Sequence, residues 1–300
     1  RVAELQALAA RCRALADLDY DFLYEPTRHL LSIGYNVTEH QLDPGYYDLL
    51  ASEARLASFI AIAQGKLPQE HWFSLGRLLT ASRGRSALVS WSGSMFEYLM
   101  PLLVMPTYPA TLLDETYHAV VERQIDYGRE RGVPWGVSES GYNKTDAQLN
   151  YQYRAFGVPG LGFKRGLADD LVIAPYASAM ALMVAPHQAT ANLQRLVAAG
   201  HAGVHGFYEA IDYTAARLPP GTDHVTVRSY MAHHQGMALL ALAYVLLDRP
   251  MQRRFAADPA FRATELLLQE RVPRGQAINP HPAEVSTSTA ARSRSPSEIV

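Results

Sequence analysis

Along most of the chain apolar residues recur at helical spacing, and runs that alternate apolar with polar residues are almost absent, so the pattern predicts an all-α protein. Helices are expected over 2–16, 46–64, 69–81, 94–104, 111–131, 168–184, 187–199, 229–247 and 258–271. Breakers fall where such helices must stop: Asp43-Pro44-Gly45 before the second, Gly65 after it, Pro186 between the sixth and seventh, and Gly200 after the seventh. Short connections of this kind predict antiparallel helix pairs.

Two long stretches, 132–167 and 203–227, lack helical periodicity and are rich in Gly, Pro, Tyr, Trp and Asn. Long structured loops inside a compact domain usually carry function. From Arg271 the composition turns to Pro, Ser, Thr and Arg, with little to bury. The expected organisation is therefore one domain over 1–270 and a flexible linker over 271–300 leading to a further module. Because amphipathic sequence begins at once with Val2, Leu5 and Leu8 behind Arg1, the chain reads as a piece of a longer protein.

Charge and cysteine content narrow the class. The 27 Lys and Arg against 29 Asp and Glu argue against a nucleic-acid or anionic membrane surface. A single cysteine, Cys12, excludes an internal disulfide framework or a Cys-based zinc site, and makes a reducing compartment the default. The apolar run Leu239–Leu247 is about half the roughly 20 residues a membrane span needs. Neither metal nor organic cofactor is expected: no HExxH-like set is present, and His201 and His205 flank glycine-containing sequence unsuited to a helical ligand pair.

Candidate chemistry centres on carboxylates. Glu53 stands inside the apolar stripe of Leu49, Leu50, Leu56, Phe59, Ile60 and Ala63, where desolvation favours a protonated acid; a structural ion pair with Arg55 is the competing reading. Glu139 lies in Trp135-Gly136-Val137-Ser138-Glu139-Ser140-Gly141-Tyr142-Asn143, a carboxylate between aromatics and small hydroxyl residues. Such a mixture suits a sugar, whose C–H faces stack on aromatics while its hydroxyls bond to polar groups. A helix-capping role for Glu139 is the alternative. Glu97 in the Trp91–Tyr98 stretch and Glu209 in Gly206–Tyr213 are further candidates, giving four carboxylates for two roles. His233, His234 and Gln235 open an apolar helix and suit hydroxyl recognition or capping equally. The glycines of Gly157–Gly166 lack the GKS/T ending of a phosphate loop.

Seven segments carry a resemblance: 47–65, 91–101, 135–143, 151–167, 174–182, 206–214 and 229–242. In this order they resemble the glycoamylase-like central domain of bacterial cyclic β-1,2-glucan synthases, over about residues 14–270. The resemblance implies an α/α toroid of six helical hairpins. Nine helices against twelve then predict a barrel left open or completed by sequence before Arg1. It also implies a retaining transglycosylase that cleaves an internal linkage of linear β-1,2-glucan and closes the chain into a ring. Glu53, in Ser52-Glu53-Ala54-Arg55, becomes the general acid. Glu139, in Ser138-Glu139-Ser140, becomes the nucleophile, 86 residues further on.

Trp135, Tyr142, Tyr153, Lys164, Arg165, Tyr208, Glu209, His233, Gln235 and Glu97 are then the expected sugar-binding residues. The implied partners are a β-1,2-glucan and the other modules of the same synthase. The implied location is the cytoplasmic side of the inner membrane, within a membrane-bound whole to which this segment contributes no membrane contact. An endo-β-1,2-glucanase and a non-catalytic glucan-holding module remain the alternatives.

Overall fold

The computed structural model describes residues 1–272 apart from Arg83, and Glu53 without its side chain. The expected linker, from residue 273 onward, lies outside the described residues. Ten α-helices are found among them: α1 (Val2–Ala16), α2 (Ser52–Ala63), α3 (Glu70–Ser74), α4 (Met95–Leu99), α5 (Leu112–Arg131), α6 (Pro175–Met180), α7 (Pro186–Ala198), α8 (Ala232–Leu246), α9 (Pro250–Phe255) and α10 (Pro259–Thr264). Each expected helix is present in some form. Several are shorter, because 3₁₀ turns (Pro101–Leu103, Ala181–Met183, Glu265–Gln269) follow α4, α6 and α10.

The expectation of an all-α chain is corrected. Thirteen strands of two to six residues make small antiparallel sheets among the described residues: β1 (Tyr24–Glu25), β2 (Leu30–Leu31), β3 (Tyr35–Asn36), β4 (Gln41–Leu42), β5 (Leu79–Ser82), β6 (Arg85–Leu88), β7 (Ser140–Thr145), β8 (Tyr151–Arg154), β9 (Val172–Ile173), β10 (Ala202–Gly203), β11 (Gly206–Phe207), β12 (Ala210–Asp212) and β13 (Val225–Val227). Most are too short to display a period of two. The expected helix 69–81 is split by this tendency: α3 ends at Ser74, and β5 then pairs with β6. Apolar Leu79 and Leu88 face each other in that hairpin, and Gly84 at φ +79° makes the turn.

α5 anchors the core. Thr111 caps its N-terminus, Asp114 and Glu115 lie in its first turn, Arg129 and Arg131 in its last, and Gly132 closes it at φ +71°. Its buried side chains run from Leu112 to Tyr127, and α4 and β6 pack against it. One apolar cluster extends from Leu49 to Leu268. Within it, Phe59 of α2 meets Trp72 and, from α10, Phe261 edge-on. α6 lies between α7 and α8. α1, by contrast, buries none of its residues. Among the described residues no helix is long and apolar enough to cross a membrane.

The glycine-rich stretch after β8 has a packing purpose. The backbone of Ser90–Gly93 runs against that of Gly157–Gly162, with hydrogen bonds from Ser90 N to Leu161 O and from Phe163 N to Ser90 O. A Cβ on Gly157 would lie 1.7 Å from the carbonyl oxygen of Ser92, and one on Gly162 2.6 Å from Gly93 N. These distances leave no room for a side chain. Gly157→Ala is therefore expected to lower the thermal midpoint by more than 10 °C or to prevent folding, because rigid backbone must separate. A melting curve within a few degrees of wild type would contradict this.

Candidate active site

The loop between α5 and β7 is pinned residue by residue. Gln124 of α5 is fully buried; its side-chain amide donates to Val137 O (2.7 Å) and its oxygen accepts from Val137 N (2.8 Å). Ser138 Oγ accepts from Phe96 N at 3.0 Å and shares a hydrogen bond with the Tyr176 hydroxyl at 2.8 Å. That hydroxyl lies 2.9 Å from Glu139 O, and Gly141 N donates to Glu209 Oε1 at 3.0 Å. Glu139 is thereby held half-buried at a fixed place.

Glu139 lines a cavity of about 540 Å³ together with Tyr46, Tyr47, Asp48, Trp91, Phe96 and Glu97. Ala51 and Ser52, at the first turn of α2, line it too, so the helix turn bearing Glu53 borders the same cavity. The side chain of Glu53 itself lies outside the described residues. The expected apolar stripe around it is only partly the buried face of α2. Phe59 is buried, but so are Ser52, Arg55 and Ser58. Arg55 has no solvent exposure; it donates to Tyr98 O at 3.1 Å, and burial lowers its pKa.

Glu97 sits on the cavity wall in a cage of serines. Its carboxylate accepts from the hydroxyls of Ser90, Ser92 and Ser94 and from the backbone N–H groups of Ser92 and Ser94. Ser94 and Glu97 form a reciprocal capping box at the start of α4. These bonds hold the Ser90–Ser94 loop, and with it the indole of Trp91, 67% exposed at the cavity edge. Such an exposed aromatic face fits the pyranose stacking expected of a glycan cleft.

Asp48 was missed by the reading of the sequence. Its Oδ1 accepts from Leu50 N (2.7 Å) and Ala51 N (3.0 Å), organising the entry to α2. Burial raises its pKa, and the Glu97 charge adds to this, against the backbone donors and Arg55. Its folded pKa exceeds its unfolded value of 3.8, so between the two the native state binds more proton and stability falls as pH rises. Asp48→Asn removes this slope while keeping an acceptor for both N–H groups. The variant's stability relative to wild type should therefore rise in thermal melts taken from about pH 3 to about pH 7. Asp48→Ala loses the acceptor as well and should cost about 1 kcal/mol more than Asn. Equal melts for Ala and Asn would remove the capping role.

The other expected sugar-binding residues divide. Trp135 belongs to the core and is 7% exposed, with its backbone held by Asn192 and Ser178. Tyr142 packs edge-on against Phe156 beneath the guanidinium groups of Arg154 and Arg217. Arg217 is itself bound to buried Asp212. Lys164 donates to the carbonyl of Ala155 on the cavity wall, and Arg165 is exposed.

Tyr208, Glu209 and Gln235 gather with buried His234 around a separate recess of about 20 Å³, with Tyr153 and exposed His233 beside it. Glu209 is 2% exposed and its carboxylate serves Gly141 and His234. Tyr46 and Tyr47 were also missed. The signal was present in Gly45-Tyr46-Tyr47-Asp48, two aromatics ahead of a capping aspartate, but it reads equally as a helix start. Among the described residues no cluster of His, Cys, Asp and Glu could hold a metal ion.

The Glycoamylase family model matches residues 45–258, a span that contains the cavity-lining residues from Gly45 to Ala155 but not Ile33. The chain belongs to that family. It is 52% identical over 271 residues to the cyclic β-(1,2)-glucan synthase NdvB of Rhizobium meliloti (strain 1021), a match covering 90% of this chain and 10% of that protein. The chain thus spans about a tenth of the curated relative's length. Its fold is similar to that of the endo-β-1,2-glucanase from Chitinophaga pinensis, solved with sophorotriose and glucose: TM-score 0.64, 17% identity, 88% of this chain and 65% of that one. It is also similar to the β-1,2-glucanase from Parabacteroides distasonis: TM-score 0.66, 14% identity, 90% of this chain and 41% of that one.

Proposed function

We propose that this glycoamylase-family chain acts on β-1,2-glucan as a retaining transglycosylase that closes a linear chain into a ring. The observation that carries this reading is the 52% identity to a cyclic β-(1,2)-glucan synthase, over residues that include one cavity bordered by Glu139 and by the α2 turn bearing Glu53. In the proposed arrangement the helix pairs belong to an α/α toroid, the domain extends to about residue 270, and the cavity is part of its central cleft.

Glu53 protonates the departing glycosidic oxygen as Glu139 attacks C1, forming a glycosyl-enzyme; Glu53 then deprotonates the chain's own non-reducing-end hydroxyl as that oxygen displaces Glu139. Transfer prevails over hydrolysis where this hydroxyl is held at C1 in place of water. Trp91, Tyr46 and Tyr47 supply aromatic surface for the sugars on the cavity wall, and Glu97 and Asp48 supply hydroxyl acceptors. Lys164, Arg165, Tyr153 and His233 are proposed for more distant sugar units. Within a full-length synthase the segment would receive its linear glucan from another module of the same chain, at the membrane that holds the whole.

The test is incubation of the purified chain with linear β-1,2-glucan followed by mass spectrometry. Products lighter by one water than linear chains of equal length establish ring closure. Shorter linear products alone would make the chain an endo-β-1,2-glucanase, the reading to which the fold shared with the Chitinophaga enzyme lends support. Unchanged glucan that is nonetheless bound would indicate a holding module.

A further inference from the structure

Two hydrogen bonds hold the backbone that follows Glu139. The Tyr176 hydroxyl meets the carbonyl oxygen of Glu139 itself, and in the next peptide group Glu209 takes the N–H of Gly141. The side chains that make these bonds come from α6 and from the turn before β12, and one residue joins them. His234 of α8 bonds through Nδ1 to Glu209 at 3.0 Å, and its ring lies flat on that of Tyr176, with centroids 3.7 Å apart and planes 11° from parallel. His234 is 1% exposed, Glu209 2% and Tyr176 5%. The carboxylate sits tightly against the loop, since a Cβ on Gly141 would come within 3.2 Å of Glu209 Cγ. The outer nitrogen, Nε2, faces the Tyr153 hydroxyl at 3.3 Å.

We propose that His234 and Glu209 are positioning residues for the nucleophile: a buried dyad that fixes the two successive peptide groups following Glu139 and so sets the approach of its carboxylate to C1. The proposal rests on the reading of Glu139 as nucleophile. Neither member of the dyad lines the cavity that Glu139 borders, so contact with the reacting sugar is not their contribution. An apolar pair of the same volume would fill the space with no desolvation penalty, and a buried charged pair is weak support for stability as such. What the pair adds is direction. The imidazole is held by both a hydrogen bond and a stacked ring, Glu209 is held by the imidazole, and the loop is held by both. A nucleophile displaced by about 1 Å loses on the order of 100-fold in rate, so tethers to the two peptide groups that follow it have a large effect to exert.

The decisive experiment places His234→Phe in two backgrounds. Phenylalanine keeps the stack on Tyr176 and deletes the bond to Glu209. In the otherwise wild-type chain kcat on linear β-1,2-glucan should fall by about 10- to 100-fold with KM changed by less than about threefold. In Glu139→Ala supplied with sodium azide, the azide ion attacks C1, the C1–O bond breaks, and the departing oxygen takes its proton from Glu53. This single displacement yields an α-glycosyl azide. With no side-chain carboxylate left to aim, His234→Phe should change the azide rate by less than about twofold in this background.

An equal loss in both backgrounds would overturn the positioning role and leave Glu139 as nucleophile. Absence of glycosyl azide from Glu139→Ala alone would overturn the nucleophile and the positioning role with it. Should His234→Phe fail to fold, Glu209→Gln serves the same comparison, because its amide oxygen keeps an acceptor for Gly141 N–H while the charge paired with His234 is lost. A KM rise with unchanged kcat in either variant would mark the dyad as a sugar-binding element and sink the proposal.

Discussion

Glu139→Gln is expected to lower turnover of linear β-1,2-glucan by on the order of 10⁴-fold or more, while binding of the glucan, followed by calorimetry, changes by less than about threefold. Glutamine is isosteric and leaves the backbone bracket around residue 139 untouched: Gln124 on Val137, Tyr176 on the residue 139 carbonyl and Glu209 on Gly141. What it removes is the negative charge that attacks C1 and balances the oxocarbenium-like transition state. The thermal midpoint should stay within a few degrees of wild type. Turnover retained within tenfold, or loss of binding together with loss of fold, would assign Glu139 a structural place instead.

Glu53→Gln is expected to cost about 10²- to 10⁴-fold in turnover on the same glucan, the range a positioned general acid supplies. Chemistry separates this loss from that of Glu139. A substrate whose leaving group is a good anion, such as a dinitrophenyl β-linked sophoroside, does not need protonation at the departing oxygen. The Glu53 variant should accordingly release the phenol at a rate within about tenfold of wild type in the first turnover, and the Glu139 variant should not. Glu53 stands in the first turn of α2, whose backbone entry Asp48 organises through the N–H groups of Leu50 and Ala51. Near-normal activity on the natural linkage would exclude Glu53 as the acid.

The same residues show where reading the chain alone succeeds and where it stops. Helices long enough to repeat an apolar stripe were legible: α1 and α5 begin and end within a residue of expectation, because Thr111 and Gly132 are local signals that bracket α5. The strands were not legible. A segment such as Val172–Ile173 is too short for any period, and it is a strand because Ile211 and Asp212 arrive beside it from 38 and 40 positions on. The stretch 69–81 failed for a related reason, since leucines that suit a helix also suit one face of a hairpin when a glycine turn follows.

For the site, the motifs around Glu53 and Glu139 were sufficient to point to a family, because several long segments in a fixed order specify a common ancestor without reference to coordinates. The motifs could not sort aromatic residues into stacking surfaces and core. Trp135 and Trp91 look alike in composition, each beside glycine and serine, yet one is sealed under α7 by Asn192 and the other stands 67% exposed on the cavity edge. Nor could they sort the carboxylates. Glu97 and Glu209 differ from Glu139 in what surrounds them, a serine cage in one case and an imidazole with a backbone amide in the other, contributed by residues as far as 68 positions away.

The sequence by itself determined the longer helices, the family and the two glutamates on which the chemistry is proposed to rest, since each depends on residues close together along the chain. Only the tertiary structure decided which polar groups share the cavity, which are consumed in holding it, and why Gly157 and Gly162 must be glycine. Burial, hydrogen-bond partnership and close backbone approach are properties of residues that meet in space, and a linear pattern carries no record of those meetings.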